Sequence, residues 1–171
     1  MPITPEEKRI LKKMQAKKSL TSRDLVGIVN PVFSDMNINP RYGKSITVDS
    51  ESSERMVRRG IPKQYGGWTS KRAVYINNEM SSPAQIVTLA HETGHVVMKK
   101  ALQKDVGKKE AERKGGAMER AFVSRFNKRY GKLGVELDFG VSKSKFKPRK
   151  GDAEIVRKNI STSYLRKGCK L

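Results

Sequence analysis

His91-Glu92-Thr93-Gly94-His95 constrains this chain more than any other stretch, because it holds both of the histidines among 171 residues. An α-helix turns about 100° per residue, so side chains four apart stand one above the other on a single face. On a helix, His91 and His95 can each direct a ring nitrogen at one divalent cation. Glu92 then lies beside that pair, close enough to exchange a proton with water at the cation without binding the cation itself. The flanking residues support a helix. Ser82-Pro83-Ala84-Gln85 reads as its start, with Ser82 as N-cap, Pro83 at the first helical position and Gln85 closing a capping box. Beyond it, Ile86, Leu89, Ala90, Thr93, Val96 and Val97 form an apolar face, while Ala84, Thr88, His91, Glu92 and His95 gather on the other side. Gly94 costs about 1 kcal/mol relative to alanine in mid-helix, so another backbone or a ligand is expected to pass close to it.

Upstream, Ala73-Val74-Tyr75-Ile76-Asn77 is a short β-branched and aromatic run closed by Asn77-Asn78, hence a strand and a turn. If that strand is a sheet edge, its unpaired backbone groups can hold an extended peptide beside the cation; an interior strand is the alternative. The segment from Ala73 to Lys100 resembles the edge strand and active-site helix of the zincin metallopeptidases. The resemblance implies zinc-dependent hydrolysis of a protein or peptide substrate, with His91 and His95 as zinc ligands and Glu92 as catalytic base. Its specific core is the five-residue histidine motif. A second donor to the carbonyl oxygen is expected in such a site, and Tyr130, Tyr164 or an arginine could supply it.

A hydrolytic zinc site takes three protein ligands and leaves one position open. No third histidine exists, and Met98 and Ala101 stand where the metzincin pattern has its glycine and last histidine. Cys169, the single cysteine, reads as an inert reduced thiol near the end of a basic stretch. The third ligand is therefore expected to be a carboxylate, from among Asp105, Glu110, Glu112 and Glu119. Glu119 is the preferred candidate. After Gly115-Gly116, residues 117–130 read as a helix in which Met118, Phe122, Phe126 and Tyr130 recur every four residues, and Glu119 sits in its first turn near the core. Glu110 and Glu112 lie in a charged run that reads as a solvated turn or helix end. A histidine motif followed by a glutamate on a later helix is similar to the gluzincins. Glu119-Arg120-Ala121-Phe122 through Phe126 resembles the glutamate helix of two groups within them, the small repressor-cleaving metallopeptidases of mobile elements and the lethal factor-like, phage-associated zincins.

Length and composition bound the rest. At 36% hydrophobic and 6% aromatic residues, the chain can build one modest core. The expected fold class is α+β: a small zincin-like domain, its active-site helix next to a short mixed sheet, flanked by basic extensions. The expected division is a basic N-terminal helix or arm at 1–20, the zincin-like domain at 21–140 and a basic C-terminal tail at 141–171. Thr4-Pro5-Glu6-Glu7 opens a helix carrying Ile10, Leu11 and Met14, and a second helical stretch runs from Arg23 to Val29, ending before Pro31. Ile46-Thr47-Val48 reads as a strand and Gly60 to Trp68 as a loop, with Trp68 in the core or lining a cleft. Val135 to Phe139 alternates like a strand, and a brief helix is expected at 152–157. One cysteine excludes a disulfide framework and suits a reducing compartment. With no secretory signal or apolar run of membrane-spanning length, a cytoplasmic location is expected, or virion and host cytoplasm for a phage-encoded chain. The net charge is +20, of which residues 1–20 carry +4 and residues 141–171 carry +8. Such ends attract nucleic acid or acidic protein surfaces non-specifically. A second expectation follows, of another class: a polyanion-binding structural protein of a phage or nucleoid, with an inactive zincin-like domain.

Overall fold

The computed structural model describes residues 1–99, 101–102, 106–137 and 149–166. Asp105, Cys169 and the second half of the strand expected at 135–139 lie outside the described residues. Helix α1 (Pro5–Gln15) begins with the expected capping box, in which Thr4 Oγ1 accepts from Glu7 N–H and Glu7 accepts from Thr4 N–H. Helix α2 (Ser22–Asp35) repeats the device with Thr21 and Asp24. It does not stop before Pro31 as expected but continues through it, since Val32 and Phe33 immediately after it are fully buried. Core packing there outweighs the backbone hydrogen bond that a proline forfeits.

Strand β1 (Thr47–Glu51), helix α3 (Ser53–Arg58), strands β2 (Gly67–Ser70) and β3 (Ala73–Asn77), and helix α4 (Ser82–Val97) follow. The sheet has the order β1-β3-β2, with β1 parallel and β2 antiparallel to β3. This is the expected α+β class with a short mixed sheet. The strand at Ala73 is thus interior, and the edges are β1 and β2, the latter occupying the end of the segment expected to be a loop. Trp68 sits on β2 but is 37% exposed, with its ring 5.6 Å from that of Tyr65, so it is a surface residue and not a core one. α4 is capped by Ser81, one residue earlier than expected, and its hydroxyl accepts from Ala84 N–H. Gln85 closes no capping box; its amide instead donates to Asn77 O at 3.5 Å.

Helix α5 (Lys108–Tyr130) is longer than the sequence suggests, running unbroken through Gly115-Gly116. It crosses α4 closely. A Cβ on Gly94 would stand 2.8 Å from Met118 Cβ, so the backbone passing near Gly94 is that of α5. Phe33, Phe122, Phe126 and Tyr130 stack in succession through the core, at 5.0, 6.2 and 4.7 Å between ring centroids. α1 docks on this core through Ile10, Leu11 and Met14. Its Glu7 accepts from both Arg129 Nε and Tyr130 Oη of α5. Helix α6 (Asp152–Asn159) lies on α5, where Arg120 forms a buried two-pronged ion pair with Asp152 at 2.9 and 3.0 Å. The chain leaving α6 then stitches onto the chain leaving α4. Met98 bridges Ile160, Lys99 N–H donates to Asn159 O at 2.7 Å, and Ser161 N–H donates to Val97 O at 2.9 Å. No helix among the described residues is long and apolar enough to cross a membrane.

Candidate metal centre

α4 places His91 and His95 one turn apart, with ring centroids 4.8 Å from each other. Among the described residues, His91, Glu92 and His95 form the group able to hold a metal ion, their ligand atoms all lying within 4.8 Å of one another. Each imidazole is fixed through Nδ1. His91 Nδ1–H donates to Glu119 Oε2 at 2.9 Å, and His95 Nδ1–H donates to Ala101 O at 2.7 Å. With Nδ1 engaged in each ring, Nε2 is the nitrogen left to face a cation, a proton on His91 Nε2 being displaced when the cation binds. Those Nε2 atoms face one carboxylate. Glu112 Oε2 is 3.4 Å from His91 Nε2 and Glu112 Oε1 is 3.7 Å from His95 Nε2.

The floor of this space is Gly115. A Cβ there would stand 2.7 Å from His91 Nε2 and 3.0 Å from His95 Cε1, so any larger residue would fill the place where the nitrogens converge. Imidazole and carboxylate donors around a cradle kept open by glycine fit a divalent transition metal such as zinc. On the opposite side, β2 runs directly over α4. Gly67 packs on Thr88 and Glu92. Thr69 Oγ1 donates to Glu92 Oε2, so a hydroxyl of the edge strand holds the carboxylate next to the histidine pair.

The expected residues therefore meet in one place, but with distinct geometries. His91, Glu92 and His95 cluster as their spacing implies. Glu119 reaches His91, 5% exposed, on the Nδ1 side and not on the side where the Nε2 atoms point. Glu112, expected in a solvated turn, lies in the second turn of α5 on the Nε2 side. Glu110 points away and pairs with Arg113 at 2.7 Å. Tyr130 cannot serve as a donor to substrate, because it is buried and its hydroxyl is engaged by Glu7. Thr69 and Gly115 were not singled out from the sequence. The positions 112, 115 and 119 are spaced as one helical face, a signal visible once α5 is read through its two glycines.

Residues 44–121 match the IrrE N-terminal-like domain of the peptidase M78 family. That family is zincin-like, in agreement with the resemblance of the histidine helix. The M78 match takes in the whole sheet, α4 and the part of α5 that carries Glu112, Gly115 and Glu119. No curated protein and no solved structure matches the chain.

Proposed function

We propose that the M78-like segment is a zinc-dependent peptidase in which His91 and His95 ligate through Nε2, Glu112 is the third ligand and Glu92 is the general base. The observation that carries this reading is the convergence of both Nε2 atoms on the Glu112 carboxylate above Gly115, with both Nδ1 atoms engaged elsewhere. Glu119, first preferred as a ligand, is then the residue that orients His91, a role in which carboxylates commonly support metal-bound imidazoles. Zinc in such a donor set supplies Lewis acidity, lowering the pKa of water to about 7 and polarising a carbonyl.

Glu92 takes the proton from the attacking water and passes it to the leaving amine. Its carboxylate is held ready by Thr69. The outer side of β2, the sheet edge that packs on Glu92, offers backbone N–H and C=O groups to an extended peptide. A peptide added there runs past Thr69 and so past Glu92. Two imidazoles, ligating once His91 has given up its second proton, and the carboxylates of Glu112 and Glu92 account for ligation and proton transfer without further residues.

Elemental analysis of purified protein tests the ligand set. Wild type is expected to hold one equivalent of zinc. Glu112→Ala is expected to lose it, and Glu119→Ala to bind roughly 10–100-fold more weakly but still detectably. Glu92→Gln is expected to keep zinc and lose cleavage of casein and peptide mixtures followed by mass spectrometry. Zinc retained by Glu112→Ala and lost from Glu119→Ala would return the ligand role to Glu119, and a zinc-loaded wild type without proteolysis would end the peptidase reading.

A further inference from the structure

We propose that the groove between α5, α6 and the end of α2 is a nucleotide-binding site, separate from the metal centre. The groove encloses about 650 Å³, and none of its lining residues belongs to the histidine site. Volumes of about 300–1,000 Å³ are typical of sites that take small organic ligands. Its chemistry has two parts. The floor is apolar, its accessible part made by Met36, Ala121 and Leu165 over the buried Ile38, Val156 and Ile160. The rim carries Arg125, Lys128, Arg149 and Arg157.

The rim charges have little to answer them. Asp152 is the one carboxylate among the described lining residues, and it is already committed. Its oxygens accept two bonds from Arg120 and a third from Arg149 N–H at 2.7 Å. The side chains of Arg125, Lys128, Arg149 and Arg157 make no hydrogen bond or ion pair among the described residues. Glu154, on the neighbouring face of α6, pairs with Lys158 at 2.9 Å and adds only a weaker attraction for Arg157. Four cations held around one concavity focus a positive potential that an anion relieves.

The apolar floor narrows the anion's identity. Inorganic phosphate would leave the floor in contact with water, and a duplex backbone would lie across the rim without entering. A phosphate ester with a flat ring system fills both parts, its phosphates on the lysine and arginines and its ring on Met36, Ala121 and Leu165. Guanidinium groups suit this task twice, pairing with phosphate oxygens and stacking on rings. A nucleotide has that composition.

Isothermal titration of the full chain at low ionic strength tests the site, with ATP, inorganic tripolyphosphate, adenosine and a short single-stranded DNA as probes. ATP is expected to bind, tripolyphosphate roughly tenfold more weakly, and adenosine not measurably below about 1 mM. Two variants locate the site: Arg125→Ala/Lys128→Ala removes rim charge, and Ala153→Phe fills the groove without changing charge. Each is expected to weaken ATP at least roughly tenfold while leaving zinc content and the circular dichroism spectrum as in wild type. The proposal fails if tripolyphosphate binds as tightly as ATP, if ATP does not bind, or if the well-folded variants bind it unchanged. It fails also if DNA binds tightly through the rim and ATP does not compete, since the groove would then hold a strand and not a nucleotide.

Discussion

Thr69 Oγ1 donates to Glu92 Oε2 and lies 3.3 Å from the main-chain oxygen of the same residue, joining the edge strand to the histidine helix at the point of proposed catalysis. Thr69→Val keeps the shape and removes the donor. In steady-state assays on a cleaved peptide, kcat is expected to fall roughly 10–100-fold with KM little changed, as for a group acting in the transition state. Thr69→Ser restores the hydroxyl and should recover most of the loss, which a packing role alone would not predict. Unchanged kcat in the valine variant would leave Thr69 with packing only.

Gly115→Ala should damage the metal centre while sparing the fold. Its methyl would enter the space 2.7 Å from His91 Nε2, whereas the same change at Gly116 meets only the end of the Arg120 side chain at 3.1 Å. Alanine also favours helix by about 1 kcal/mol over glycine, so the metal-free protein need not lose stability. Chelator competition is expected to show at least about 100-fold weaker zinc binding for Gly115→Ala and near wild-type binding for Gly116→Ala. Equal affinities would show that the histidines can move aside.

Zinc uptake should depend on pH in a defined direction. Burial disfavours a charged His91, but its hydrogen bonds to Glu112 and Glu119, with the charges of Glu92 and Glu119, outweigh burial and push its pKa up to about 10. The metal-free protein therefore carries a proton on His91 at neutral pH, and a cation at Nε2 must displace it. Affinity should rise about tenfold per pH unit between pH 6 and 8, with about one proton released per zinc in calorimetry across buffers of different ionisation enthalpy. In the metal-free fold the sign is opposite. The charged His91 stabilises it fully below pH 6.5, and that contribution is lost as pH rises toward 10. Zinc affinity flat across this range would mean that His91 is neutral before the metal arrives.

Asp24 ties the first two helices together. Burial raises its pKa, but Lys13 and Arg9, bonded to it at 2.6 and 2.7 Å, together with Thr21 N–H, pull it down to about 2. Its stabilisation is complete above the ordinary carboxyl value of 3.8 and is lost as pH falls toward 2. Asp24→Asn is expected to cost about 2 kcal/mol in urea unfolding at pH 7, a difference that vanishes near pH 2. A variant as stable as wild type at pH 7 would show that the capping hydrogen bond alone, which asparagine keeps, holds α2.

Features fixed by local chemistry were legible in the sequence. The Thr4 capping box, the β-branched run at Ala73 and the four-residue interval between His91 and His95 each act within a few residues, and each appears where its pattern predicts. Features decided by distant contacts were not. β2 has four residues, including Gly67 and Ser70, too few for alternation to register, and its strand state comes from pairing with β3. Gly115-Gly116 reads as a break, yet the close packing of α5 on the histidine helix keeps it helical there. Reading a break there separated Glu112 from the helix that also carries Glu119. The structure brings both carboxylates to the same imidazole, Glu112 at Nε2 and Glu119 at Nδ1.

Because Ala101 O anchors His95, the second imidazole is steadied by a loop that leaves α4 under the restraint of Asn159, Ile160 and Ser161. The far end of this segment thus acts as a splint for a proposed metal ligand more than sixty positions earlier. Clipping the chain ahead of α6 would release that splint, and zinc would be held less firmly although every atom able to bind it remained.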